Sequence, residues 1–241
     1  MQPALSGPSH AARPSLVWFR EDLRIDDHPA LAAAAQSGPV CAVYILETGE
    51  HLGRPLGGAL KWWLHHSLKS LQANLARNGI GLILQKGDSR QLIPALARSL
   101  GTRSVHWNRR YYAWSRPVDA LIKAELTALG IDVGSHKAQV LSEPWEVKTG
   151  AGGNFKVFTP FFRAAKPLCD AWAELASPAP TLIGHTDPNI RTDPLDDWAL
   201  LPKAPDWSTG LAETWEPGEE GANKRLNTFI DKVISGYGEA R

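Results

Sequence analysis

Apolar and polar positions in the first 141 residues follow two alternating periods. Short runs of β-branched and aromatic residues have the length and composition of strands: "LVWF" (16–19), "VCAVYIL" (40–46), "GLILQ" (81–85) and "SVHW" (104–107). "IDV" (131–133) and "AQVL" (138–141) are weaker strand candidates. Between these runs the apolar residues recur at helical spacing. Residues 56–77 place Leu56, Leu60, Trp63, Leu64, Ser67, Leu68, Leu71 and Leu75 on one face. Residues 88–100 do the same with Leu92, Leu96 and Leu100, and residues 117–129 with Leu121, Ile122, Leu126 and Leu129. A helix after the first strand has Asp26 or Asp27 as its cap and Pro29 in its opening turn. Near-continuous apolar strands alternating with helices predict an α/β domain over residues 15–141, a parallel sheet with helices on both faces, after a loose tail at 1–14.

Beyond residue 141 this alternation stops. "LSEPWEVKTGAGGN" is turn chemistry, and "FKVFTPFFRAAKPLCDAWAEL" reads as a short helix with Thr159 as N-cap and Pro160 as its first residue. Residues 177–218 are rich in proline yet carry Trp198, Trp207 and Trp215. That much aromatic surface predicts an ordered connector, over 142–210, laid across the protein surface. A last helix spans about 219–235, with Ala222, Leu226, Phe229, Ile230 and Val233 as its apolar stripe and Gly236 as its stop. Residues 211–241 are too few to close a core of their own, so the chain reads as the start of a helical domain cut short.

Composition narrows the possible chemistry. The chain has 241 residues and a net charge of +1, so no global basic field draws it to nucleic acid. No segment approaches the roughly 18 uninterrupted apolar residues of a membrane span. The polar start "MQPALSGPSHAARPS" has no apolar core of a signal peptide. Cys41 and Cys169 lie too far apart for a disulfide framework or metal-ligand spacing, and a reducing, cytoplasmic setting is expected.

Most common sites fail on inspection. The turn after the first strand, "REDLRIDDHP", lacks the glycines of a dinucleotide fingerprint, and "GAGG" at 150–153 neither follows a strand nor opens a helix. There is no P-loop and no G-x-S-x-G elbow. His65 and His66 are adjacent, so on a helix they point about 100° apart and do not share a metal. Asp22, Asp26 and Asp27 could gather around a divalent cation, but Arg20 and Arg24 interleave with them and favour internal ion pairing. On that view Arg20 pairs with Asp22 and holds the loop's shape. Arg109 and Arg110, just after a strand, read as a solvated rim. Phe155, Phe158, Phe161 and Phe162 read as packing between the connector and the α/β domain.

Three stretches, "VWFREDLRIDD" (17–27), "WNRRY" (107–111) and "FKVFTPFFRA" (155–164), lie in an order and spacing that resemble the DNA photolyase/cryptochrome family. The likeness is to the amino-terminal part of a class I-like deoxyribodipyrimidine photolyase, and it runs from Leu16 to the end of the chain. The resemblance implies a Rossmann-like antenna domain holding a light-harvesting pigment, a long connector, and an all-helical domain binding FAD and damaged DNA. In that family light-excited reduced FAD donates an electron to a flipped-out pyrimidine dimer. It also implies that Tyr237, in "GYGEAR", contacts the FAD phosphates. The family's remaining flavin, tryptophan-chain and DNA-groove segments have no counterpart before Arg241. The resemblance therefore implies an inactive fragment with no catalytic residue and no metal of its own. Its one expected partner is a second copy, through the unpaired terminal helix. Trp114 and Ser115 stand where folate-using members carry an Asn-Glu pair, which leaves the antenna pigment unidentified. The same motifs also fit a cryptochrome-type photoreceptor, and a stand-alone α/β binding module is the third reading.

Overall fold

The computed structural model describes residues 13–49, 54–170 and 178–238, with the side chains of Cys169 and Asp170 outside that description. Most of the expected tail at 1–14 therefore lies outside the described residues, as do 171–177 of the connector.

Strand β1 (Ser15–Phe19) is buried along its whole length, which only a sheet covered on both faces permits. Strands β2 (Val40–Glu47), β3 (Leu82–Gly87), β4 (Ser104–Asn108) and β5 (Asp132–His136) join it in a five-stranded sheet. The spatial order is β3-β2-β1-β4-β5, and every pairing is parallel. Four helices connect the strands: α1 (Pro29–Ser37), α2 (Gly58–Ala76), α3 (Ser89–Ser99) and α4 (Ser115–Ala128). Side-chain alternation divides the core in two. Val17, Phe19, Ala42 and Tyr44 pack with Leu31 of α1 and with Leu68, Leu71 and Leu75 of α2. Leu16, Trp18, Cys41 and Val43 pack on the other side with Ile93 and Leu96 of α3 and with Val118, Ile122 and Leu126 of α4. This is the α/β architecture expected from the strand and helix periods.

Several local expectations are corrected. The cap of α1 is His28, whose Nδ1 accepts from the Leu31 N–H at 3.0 Å, not Asp26 or Asp27. Asp27 sits at a positive φ of 47°, and the Asp26 carboxylate is turned to the Ala179 N–H instead. In α2, Trp62 and His65 are buried while Leu60 is 61% exposed, because the face toward the sheet is rotated from the pure leucine stripe. Leu121 in α4 and Leu129, which caps that helix, face solvent. "AQVL" (138–141) forms no strand, since β5 ends at His136, opposite the last residue of β4.

The connector helix α5 (Phe158–Asp170) begins at Phe158, so Thr159 and Pro160 lie within its first turn and Thr159 is not the cap. A missing N–H at Pro160 costs nothing there, because first-turn donors have no intrahelical partner. Phe158, Phe161 and Phe162 do not pack onto the α/β domain as expected. Phe158 is 71% exposed and stacks on Phe162 at 5.5 Å, while Phe155 meets Phe161 edge-on at 6.3 Å.

The second half of the connector does more than cross the surface. Gly184 bridges Val40, with the Val40 N–H donating to Ile183 O at 2.8 Å and the His185 N–H to Val40 O at 2.9 Å. A side chain at Gly184 would overlap the Gly79 carbonyl, so this approach needs glycine. Farther on, Thr192 and Asp193 bond the backbone of Leu84 and Lys86 in edge strand β3. Leu195, Trp198 and Leu200 then enter the core beside Tyr44. The connector thus covers an otherwise open sheet edge. Helices α6 (Thr209–Thr214) and α7 (Glu219–Lys232) follow. Buried Cys41 is a free thiol that burial pushes up to about 12.

Candidate functional site

In an open parallel sheet, the strand order reverses where the connections from neighbouring strands leave to opposite faces. A crevice opens there at the carboxyl ends. Here that point lies between β1 and β4, and the residues that end these strands are "RED" (20–22) and "NRR" (108–110). The acidic turn and the paired arginines, far apart in sequence, become the two lips of one cleft.

Arg20 and Asp22 are both buried, and their side chains bond elsewhere rather than to each other as expected. The Arg20 Nη1 donates to both Asp119 oxygens, at 2.7 and 3.0 Å, and its Nη2 donates to the Asn108 carbonyl. Burial, and then the charge of Arg110, pull the Arg20 guanidinium down to about 10 against the opposing pull of Asp119. The Trp107 indole N–H also donates to Asp119, at 3.2 Å.

Asp22 accepts from the Arg20 backbone N–H at 3.2 Å and from the Asn108 amide, and lies 3.2 Å from His28 Nε2. The His28 Nδ1 is occupied as an acceptor, which directs the Nε2 proton at Asp22. Burial opposes ionisation of Asp22, but the hydrogen bonds from His28, the Asn108 amide and the Arg20 N–H outweigh it. They hold the carboxyl well below the usual carboxylate range. Asn108 closes the network by accepting from the Ala30 N–H at 3.1 Å.

Arg109 and Arg110 are not a solvated rim. Arg109 donates to Glu143 at 2.8 and 2.5 Å and to the Ser135 carbonyl. Arg110 is 7% exposed and lies 3.3 Å from Glu47 at the end of β2. Its guanidinium is 4.6 Å from the Trp114 ring centroid and 5.4 Å from that of Trp18. Trp114 in turn lies nearly parallel to Tyr112 at 6.0 Å, and the Tyr112 hydroxyl donates to Glu21 at 3.2 Å. Ser115 is buried and its hydroxyl donates to the Tyr112 carbonyl. Trp18 is fully buried, so Tyr112 and the partly buried Trp114 are the aromatic surface these strand ends present, beside a buried cation and its carboxylates, a set suited to a planar polar heterocycle.

Other candidates lie outside the cleft. His65 and His66 meet edge-on at 5.2 Å on α2, and His65 is 3.9 Å from Asp196. Among the described residues no group of three or more acidic, His or Cys side chains could hold a metal. Tyr237 lies beyond the far end of α7, 54% exposed, with its ring edge-on to Phe229 at 5.8 Å. Sequence reasoning missed Asn108, His28, Asp119, Glu47 and Glu143. A buried arginine needs carboxylates, but nothing in the one-dimensional pattern says which of the chain's 25 acidic residues supply them.

Comparison with known proteins agrees with this fold. A family model described as DNA photolyase matches residues 15–181. The chain is 41% identical over 231 residues to the deoxyribodipyrimidine photo-lyase of Agrobacterium fabrum, covering 95% of this chain and 47% of that protein. It is 35% identical to Cryptochrome-1 of Arabidopsis thaliana, over 94% of this chain and 33% of that one. Among solved structures, a bacterial class III photolyase from Agrobacterium tumefaciens superposes with a TM-score of 0.89 at 38% identity, covering 98% of this chain and 48% of the other. The chain spans less than half the length of these relatives. With a matching parallel sheet, family motifs at both lips of the cleft and agreement along nearly its whole length, the chain belongs to the DNA photolyase family.

Proposed function

We propose that this chain forms the light-harvesting α/β portion of a deoxyribodipyrimidine photolyase, and that the switch-point cleft is where a pigment docks. The observation that carries this reading is Arg110, buried between Trp18 and Trp114 and paired with Glu47 at the point where the sheet order reverses. On this reading the exposed Tyr112 and the partly buried Trp114 supply the aromatic surface for a planar pigment, and Arg110, packed against Trp114, fixes that ring and the charge beside it. In the complete protein FAD supplies the electron chemistry and damaged DNA is the substrate. The residues described here do not enclose a flavin. Tyr237 is the family's flavin residue that this chain retains, and it is half exposed with its ring edge-on to Phe229. No repair step is assigned to the chain by itself.

The test has two arms. Purified chain is expected to show no stoichiometric flavin absorbance above about 320 nm and no blue-light repair of thymine dimers; bound flavin with repair refutes the inactive-fragment reading. Titration with a reduced folate and with a flavin, followed by fluorescence, tests the cleft. Binding that weakens at least tenfold in Arg110→Ala supports the pigment site, and equal binding by parent and variant removes it.

The similarity to a plant cryptochrome favours a second reading, a photoreceptor of the same build. It predicts that a complete protein carrying this chain binds flavin without binding dimer-containing DNA. A cytoplasmic location is part of both readings. No described helix is long and apolar enough to cross a membrane.

A further inference from the structure

We propose that Glu219 is a positioning residue: its carboxylate, clamped on the acidic turn after β1, sets the angle of α7, and so of Tyr237, relative to the switch-point cleft. The inference rests on the reading above, since only there does the placement of Tyr237 matter.

The contact joins residues nearly the length of the chain apart. Glu219 accepts from the Ile25 N–H at 3.1 and 3.0 Å, from the Asp26 N–H at 2.7 Å and from the Asn74 amide at 3.2 Å. Hydrogen bonds to an ionised acceptor are about twice as strong as neutral ones. The turn is arranged to present those two amides. Arg24 takes the carbonyls of Asp26 and Asp27, Asp22 faces His28 and Asn108, and the Asp26 carboxylate is held by the Ala179 N–H. Glu219 takes both the Ile25 and the Asp26 N–H. Gly218, at φ 108°, brings the start of α7 so close to α2 that a side chain there would overlap Ser70.

A surface helix is ordinarily oriented by a buried apolar stripe. That is not the case for α7. Gly221 is its one buried residue, while Leu226 and Ile230 are 54% and 50% exposed. Its direction is therefore carried by polar contacts: Glu219 at the turn, and Glu220 with Arg77 at 2.8 Å in its first turn. Farther along, the contacts of Lys224 with Glu216 at 2.6 Å and of Arg225 with the Thr214 carbonyl and the Trp215 ring tie α7 to the segment just before it and not to the α/β domain. Over its 14 residues α7 extends about 21 Å, so a small change of angle at Glu219 is amplified at Tyr237. The same turn is bonded on its other side, through Asp22 and Asn108, to the strand end that supplies Arg109 and Arg110. One short segment thus references both the cleft and α7.

The experiment places nitroxide labels on cysteines introduced at Lys123 of α4 and Asp231 of α7, with Cys169 replaced by serine, and reads their distance distribution. The parent, diluted with an excess of unlabelled chain so that label pairs between copies do not contribute, is expected to give one narrow peak. Glu219→Ala is expected to broaden it at least twofold, and Glu219→Gln, which keeps one carbonyl acceptor, to broaden it less. Glu220→Ala, which removes only the surface pair, is expected to leave it as in the parent. Amide exchange on the same proteins separates positioning from folding. In Glu219→Ala the Ile25 and Asp26 amides exchange at least tenfold faster while those of β1, β2 and β4 keep their protection. A folded Glu219→Ala with the parent's distribution, or equal broadening in Glu220→Ala, overturns the proposal. Should Glu219→Ala lose protection in the sheet, Glu219→Gln decides: a broader peak supports the clamp and a parent-like peak overturns it. No readout involves flavin or pigment, so failure of the functional reading and failure of the clamp are told apart.

Discussion

At the scale of the residue, the charges after β1 form a closed set of contacts in which each group has a task. Asp22 is the one whose loss is most readable. Its folded pKa lies below its ordinary value of 3.8. Its contribution to stability is therefore complete above that value and is lost as pH falls below it. Asp22→Asn is expected to destabilise the fold by roughly 2–3 kcal/mol at neutral pH, the cost of stranding the Asn108 and His28 donors. It is also expected to flatten the acid limb below pH 4 in urea melts. His136 behaves differently. Burial first, then His106, Arg109 and His28, push it from 6.5 down to about 4. The folded state resists protonation while the unfolded chain accepts it, so stability falls as pH drops from 6.5 to 4 and is flat below. His106, 3.1 Å from His136 and also lowered by burial, adds to the same slope, offset by Asp132. His136→Gln is expected to remove roughly 1–2 kcal/mol of that pH dependence, after discounting for its partial exposure.

At the scale of the element, the least conspicuous sequence has the largest structural role. The proline-rich connector covers the edge of β3 and places Trp198 in the core, its ring 6.1 Å from Tyr44 and its indole N–H donating to Asp193 at 3.3 Å. Trp198→Ala is expected to cost about 3–5 kcal/mol in denaturant unfolding, because the cavity would open between the sheet and its strap. Deleting residues 205–241 removes no member of either core cluster. That truncation is expected to keep a cooperative melt; its loss would mean that residues 205–241, with Trp207 and Trp215 packed on α2, help hold the α/β fold together. Helices α2 and α4 show why stripes read from sequence need correction. Apolar periodicity identifies a helix and its approximate inward face, but rotation by a few tens of degrees depends on which side chains the sheet can accommodate.

At the scale of the whole molecule, apolar surface on α7 lies open. Leu226, Ile230, Val233 and Ile234 are all exposed, and such a stripe exceeds what monomers usually leave bare. The isolated chain is expected to self-associate through it in a concentration-dependent way by light scattering, with Leu226→Glu plus Ile230→Glu returning it to monomer. A monodisperse parent would count against this. The exposed Phe158–Phe162 stack on α5 is a second such surface and is left intact by that double variant, so residual association would map there.

Period, apolar run length and turn chemistry determined the fold class on their own. Strands such as "LVWF" and "VCAVYIL" can be satisfied only by burial on both faces, and that dictates a parallel sheet with helices on each side. The family was likewise legible, from motifs that survive as linear strings. The tertiary structure alone decided the partners. Arg20 met Asp119, 99 residues away, Asp22 met Asn108, and Glu219 met the backbone of Ile25 and Asp26. The reason is physical. Hydrophobic burial acts on any apolar side chain in proportion to area, so its pattern is written locally. A buried charge or amide is stabilised only by a particular group at a particular distance, and which group arrives there depends on how the whole chain is wound.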